Sequence, residues 1–315
     1  MGYLERLRPF LEAIGHVHDG VITEPDTYYD FVEVFSGMES VSNGLRAFGM
    51  VGVSIDKKHR DLENFLTPPG FLYCLTAVMR LKAGGLLFLA PPCSTWVFFS
   101  CSSTGRRTDA PMGAGTMLVK TQNRLVSRLC HVMWLAQKRG AFVMLEQPAS
   151  SVMPGHPRFA KLYRKFNFRT THLDMGSYGG FSQKPSKLFG TAPWQASLEK
   201  KSDAWDKMCM KQLPGNDTVS KMSINERGKK CYTAGSGCKA TQSYPVGFGQ
   251  ANALLMDTYR RTHATSSAIA SEDIDLQSDP SEYDSDLDMF ADFQEGNETC
   301  WSQWVKDEVI PEPLE

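Results

Sequence analysis

The sequence predicts an α/β fold built on an open, largely parallel sheet, and three observations carry that prediction. Short apolar runs at Phe31–Val34, Val51–Ile55, Leu86–Ala90 and Ala141–Leu145 end in Gly, Asp, Pro or Glu. Runs of that kind are the mark of strands buried on both faces. Helical spacing fills the intervals, with Val41, Leu45 and Phe48 on one face of 39–48, and Leu125, Leu129, Val132, Met133 and Ala136 on one face of 122–140. The strands also deliver reactive residue types to their carboxyl ends, where open α/β sheets bind ligands.

Taken in order, residues 3–15 have the apolar spacing of a short helix interrupted by Pro9. His16–Asp19 reads as a loop, with no further ligands at metal spacing. A strand ends at Ser36-Gly37, a helix follows over Glu39–Phe48 with Gly49 placed to stop it, and a second strand ends at Asp56. This is the start of a βαβ unit. A short third strand is expected over Asp61–Leu66, and a helix over residues 71–84. The next strand closes on Pro91-Pro92, neither of which donates a ladder hydrogen bond, and Cys93 follows at once. Residues 97–117, rich in Ser, Gly, Thr and Arg, read as a long functional loop. The strand over 141–148 then brings Glu146 to its end as the earlier strand brings Cys93.

Composition divides the chain. Residues 1–28 read as an extension, 29–194 as the α/β core, 195–243 as a small Lys-rich insert, 244–263 as a return to the core, and 264–315 as a disordered acidic tail. From Ala264 the chain holds 15 acidic residues and one basic; Met1–His263 carries a net charge of +13. A basic body points to a polyanionic partner, and the tail to a protein partner or to competition with that polyanion. The eight cysteines are scattered without a CxxC pair, which argues against a disulfide framework or a zinc site, and no metal is expected. No apolar run spans a bilayer and the start lacks a signal-like apolar core, so a soluble intracellular protein is expected, nuclear in a eukaryotic host.

Four motifs occur in one order: Glu33-Val34-Phe35-Ser36-Gly37, Pro91-Pro92-Cys93, Glu146-Gln147-Pro148, and Tyr178 to Gln183 with Gly249-Gln250-Ala251 near the end. Together they resemble the cytosine-5 DNA methyltransferase family over about residues 30–192 and 244–262. The resemblance implies a Rossmann-like methyltransferase fold that uses S-adenosylmethionine and acts on cytosine C5, in DNA before RNA. It makes Cys93 the nucleophile and Glu146 the group that meets N3. Phe35, Ser36, Gly37, Asp56, Asn64, Pro91, Gly249 and Gln250 become the donor site; Arg106, Arg107, Gln183 and Lys187 become substrate contacts. The chemistry suits these types: a thiolate adding at C6 makes C5 nucleophilic, and a carboxylic acid kept protonated in a dry site relieves the charge that reaches N3. The chain departs from the family at Glu39 and Ser40, where glycines are usual, at Ser94 and Gln147, and at Pro185 and Lys187, where arginines are usual. Two rivals stay open: a degenerate member that binds nucleic acid or a partner without catalysis, and an enzyme that methylates a base amino group. The latter wants an aromatic after Pro-Pro, where this chain has Cys93.

Overall fold

The computed structural model describes residues 26–212, 220–224, 226, 228, 230–234 and 240–267, together with the two-residue strands 17–18 and 21–22. The helix expected over 3–15 and the tail from residue 268 lie outside the described residues. Val17–His18 and Val21–Ile22 pair as a minimal antiparallel hairpin where a loop was expected.

Residues 27–271 form one unit. Its elements run β1 (Tyr29–Val34), α1 (Ser40–Ala47), β2 (Gly52–Ile55), α2 (Pro68–Met79), β3 (Leu81–Leu89), the single turn α3 (Cys101–Thr104), α4 (Met117–Lys138), β4 (Phe142–Pro148), α5 (Pro157–Lys165), β5 (Arg169–Asp174), β6 (Pro185–Gly190), α6 (Ala204–Gln212), the hairpin β7 (Ser220–Ile224) and β8 (Lys230–Ala234), and α7 (Val246–Ser267). The fold is α/β, compatible with the Rossmann-like expectation. Six strands make one mixed sheet in the order β2-β1-β3-β4-β6-β5. The first four run parallel; β6 lies antiparallel between β4 and β5.

The expected third strand does not form: Asp61–Glu63 is a 3₁₀ turn. Asp61, Glu63 and Asn64 alternate with or interrupt Leu62 and Phe65 there, so no apolar run forms that could fill a sheet position buried on both faces. Residues 81–84, expected to end a helix, open β3 instead, because Tyr28 and Tyr29 donate to the Arg80 carbonyl and start the β1–β3 ladder there. Thr67 caps α2, its hydroxyl accepting from the Gly70 amide at 3.2 Å, with Pro68 in the first turn.

Side chains on one sheet face (Phe31, Leu86, Phe88, Met144, Leu188) pack with Val41 and Leu45 of α1 and Phe248, Ala253 and Met256 of α7 in a single core. Two glycines allow that packing. A Cβ on Gly249 would lie 1.9 Å from the Ser40 carbonyl, and one on Gly44 would lie 2.5 Å from the Gly249 carbonyl, so the α1 and α7 backbones touch. Trp194, which closes the expected core, and Gln195 and Leu198, at the start of the expected insert, are buried in the body, and the Lys200 carbonyl accepts from the Asp174 amide of β5. Among the described residues no helix is long and apolar enough to cross a membrane.

Candidate active site

The site begins where the sheet reverses its order. From β1 the chain passes to β2 on one side, and β3 then lies on the other side of β1. The carboxyl ends of β1 and β3 flank a crevice of the type that binds ligands in doubly wound sheets. Phe35-Ser36-Gly37 forms one bank and Pro91-Pro92-Cys93 the other. The Ala90 amide donates to the Val34 carbonyl at 3.1 Å and joins them.

On the first bank Phe35 (φ 62°), Gly37 (φ 55°) and Glu39 (φ 55°) are all left-handed. The conformation comes free only to glycine, so Phe35 and Glu39 each hold strain of about 1 kcal/mol. Glu39 thus keeps a glycine's backbone shape without being glycine. A Cβ on Gly37 would meet nothing within 4 Å, so the space before the loop is open. The Ser36 hydroxyl and Glu33 Oε1 are buried with no hydrogen-bond partner among the described residues. Glu33 Oε2 accepts from the Ser42 amide (2.8 Å) and hydroxyl. Burial pushes the Glu33 carboxyl up to about 7 against those donors. The Glu39 carboxylate meets Arg46 of α1 at 2.7 Å, Ser54 of β2 at 3.1 Å and His59 beyond β2 at 3.4 Å. Burial works to raise its carboxyl, but these partners hold it below the usual carboxylate range.

Asp56, at the end of β2, accepts from the Gly37 amide (3.0 Å) on one oxygen and from the Lys58 amide (2.9 Å) on the other. It fastens the glycine loop, and each oxygen keeps lone-pair capacity for another donor. Asn64 shapes a turn: its side-chain oxygen accepts from the Leu66 amide, and its carbonyl takes the Thr67 amide and hydroxyl.

On the second bank Cys93 is half-buried and opens a tight turn closed by the Trp96 amide on the Cys93 carbonyl at 2.8 Å. Gln147, where the resemblance expects Asn, donates to the Pro91 carbonyl at 2.9 Å and ties the end of β4 to this turn. The 97–117 loop is built around Arg106. Arg106 is fully buried, its guanidinium carbon 3.3 Å from the Trp96 ring centroid, with hydrogen bonds to the Pro111 and Val119 carbonyls. Burial lowers its pKa to about 10. The expectation that Arg106 meets substrate is therefore corrected: a side chain at 0% exposure packs the loop from within. Arg107 is exposed, in a bidentate pair with Asp109.

Glu146 is buried at the end of β4 on the same sheet face as Glu33 and Phe88, as the ladder registers require. The Ser186 hydroxyl donates to Oε1 (2.6 Å), the Tyr244 hydroxyl donates to Oε2 (2.7 Å), and Lys184 Nζ lies 3.7 Å from Oε1. Both Glu146 oxygens therefore accept hydroxyl hydrogen bonds, one from β6 and one from the residue two before α7. Burial, then Glu146, then Glu33 and Cys93 push the Tyr244 hydroxyl well above the usual phenol range. Cys93, Glu33 and Glu146 thus all lie within electrostatic reach of one phenol, and Lys184 stands 4.8 Å over its ring.

The remaining expected residues lie elsewhere. Gln183 donates to Asp174 at 2.9 Å. Lys187 pairs with Gln147 across β4 and β6, in the register position that faces away from Glu146. The cation beside Glu146 is Lys184, held at φ 36°. Gly249 is a packing glycine pressed on Ser40, and Gln250 is exposed one residue on in α7. Tyr244, Ser186 and Lys184 escaped sequence reading; a Tyr directly before the Pro-Val-Gly-Phe-Gly run is the one local hint. In comparisons with known proteins, no family model and no curated protein matches the chain.

Proposed function

We propose that this protein is an S-adenosylmethionine-dependent methyltransferase acting on C5 of cytosine in nucleic acid, DNA before RNA. One observation carries the reading: the Glu146 carboxylate at the end of one strand takes the Tyr244 hydroxyl, and Cys93 follows the end of the neighbouring parallel strand, facing a glycine loop with open space before it.

The residues fit the donor. The space before Gly37 leaves room for it, the Ser36 hydroxyl and Glu33 Oε1 are unspent polar groups for its amino-acid half, and Asp56 retains lone pairs for ribose hydroxyls. When bound, the donor supplies an electrophilic methyl group. Cys93, as thiolate, forms a bond from Sγ to C6 of the base while the C5=C6 electron pair shifts toward N3. Glu146 would face the base edge, one oxygen accepting from the amino N–H and the other passing a proton to N3 as charge arrives there, the proton returning when the Sγ–C6 bond breaks. C5 would take the methyl group as the donor's sulfonium S–CH3 bond breaks to a neutral thioether, the C5 proton would pass to water, and the electron pair of that C–H bond would expel Cys93 as thiolate. The base must stand outside its stack to reach Cys93.

A second reading, nucleic-acid binding without catalysis, draws on Tyr244, which occupies Glu146 Oε2. Two measurements separate them. Calorimetry should detect S-adenosylhomocysteine binding, weakened by Asp56→Ala; no binding up to about millimolar ligand, near −4 kcal/mol, would favour the second reading. DNA containing 5-fluorocytosine should give a stable adduct, since fluorine cannot leave as the C5 proton does, and Cys93→Ala should abolish it.

A further inference from the structure

The 97–117 loop is not a slack lid. Its one buried cation, Arg106, stacks on the indole of Trp96, and Trp96 closes the turn that begins at Cys93. Two further ties hold the indole's residue. The Val152 amide donates to the Trp96 carbonyl at 2.9 Å, and the His156 ring stands edge-on to Trp96 at 6.2 Å between centroids. The guanidinium also reaches forward, to the Pro111 carbonyl at the far side of the loop and to the Val119 carbonyl in the first turn of α4. One side chain therefore links the start of the loop, its end and the helix after it.

The local sequence is shaped to admit this cation. Gly113 is left-handed (φ 68°), and a Cβ there would lie 2.8 Å from Arg106 Cγ and 2.6 Å from the Thr104 carbonyl. A Cβ on Gly155 would come within 3.2 Å of Pro111. A buried guanidinium is costly unless something holds it, and a planar, delocalised cation on an indole face is the arrangement in which arginine outperforms lysine. Arg106 Nε and Trp96 Nε1 are buried without a partner among the described residues, so hydrogen bonding alone does not account for the burial.

We propose that Arg106 is a positioning residue: stacked on Trp96, it locks the Cys93–Trp96 turn and so sets where the thiol stands at the crevice. It touches neither base nor donor and acts through Trp96. The link to catalysis rests on the methyltransferase reading; the link to the thiol does not.

The test measures both. In the full chain, alkylation of each thiol by iodoacetamide is followed by peptide mass spectrometry, with buried Cys74 and Cys130 as internal reporters of unfolding. In Arg106→Met, the rate at Cys93 should rise about tenfold as the turn opens locally, while Cys74 and Cys130 stay protected. Adduct formation with 5-fluorocytosine DNA at saturation should move the opposite way, falling about 100-fold, with S-adenosylhomocysteine affinity unchanged. Arg106→Lys keeps the charge but not the planar stack and should behave as Arg106→Met does. An unchanged Cys93 alkylation rate in Arg106→Lys with the fold intact overturns the lock, and so does a rise shared by all three thiols in both variants. If wild-type protein forms no adduct but Cys93 alone becomes reactive in the variants, the lock stands and the methyltransferase reading falls.

Discussion

At the scale of single residues, Tyr244 sets the state of the site. Its hydroxyl holds the Glu146 oxygen that a cytosine edge would need, and its ring fills the space between Phe88, Phe248 and Lys184. On the methyltransferase reading, a base edge has to displace that hydroxyl. Tyr244→Phe leaves the ring packing in place and vacates Oε2. A hydrogen bond to a charged group contributes roughly 1.5–3 kcal/mol, so the variant should form the 5-fluorocytosine adduct at about tenfold lower DNA concentration. Weaker trapping in Tyr244→Phe would mean that the hydroxyl orients Glu146 rather than blocking it.

At the scale of elements, the two glycine motifs do different work. Gly37 ends β1 with open space before it; Gly249 is pressed between α7 and α1. Gly37→Ala therefore pays only for its positive φ, about 1 kcal/mol, yet fills space that the donor would use. Gly249→Ala drives a methyl group into the Ser40 carbonyl and should cost about 3 kcal/mol through overpacking. Urea midpoints with calorimetry check the pair. Gly37→Ala should fold near normally and bind S-adenosylhomocysteine at least tenfold more weakly, a loss of about 1.4 kcal/mol. Gly249→Ala should lose stability first, and any fraction that folds should bind with near wild-type affinity.

At the scale of the whole molecule, two buried groups oppose each other in pH. Glu33 is pushed up to about 7, chiefly by burial. The folded state then binds its proton more tightly than the unfolded one, so this contribution is full below about pH 4.5 and is lost as pH rises through 7. His156 is pushed down to about 4, by burial first and then by the Arg158 and Arg106 cations. Its sign is the reverse: stability is full above about pH 6.5 and is lost as pH falls toward 4. Each spans up to roughly 3 kcal/mol, and between pH 4.5 and 6.5 the two slopes cancel. Urea denaturation across that range should show Glu33→Gln gaining stability with rising pH and His156→Gln losing it, with the wild type flatter than either. Parallel curves for all three proteins would show that neither burial governs the pH response.

The sequence by itself determined the carboxyl ends of the four parallel strands and the order in which Gly37, Asp56, Cys93 and Glu146 arrive there, though not the start of β3 or the absence of a strand over Asp61–Leu66. Those features are local: an apolar run, a proline or glycine that must stop it, a helical repeat between. Tertiary structure alone decided which of these side chains meet. Tyr244 reaches Glu146 across 98 residues, by way of a sheet order and an α7 position that no local pattern encodes. Lys184 replaces Lys187 beside Glu146 because a strand alternates its faces, and the register of β6 was unreadable before its partner was known. Arg106 was expected as a substrate contact and is a core residue, since only the folded loop puts an indole beneath it and carbonyls around it. Asn64 and Gly249 resembled ligand contacts and serve a turn and a helix crossing, because the same small or polar residue that admits a ligand also admits a neighbouring backbone.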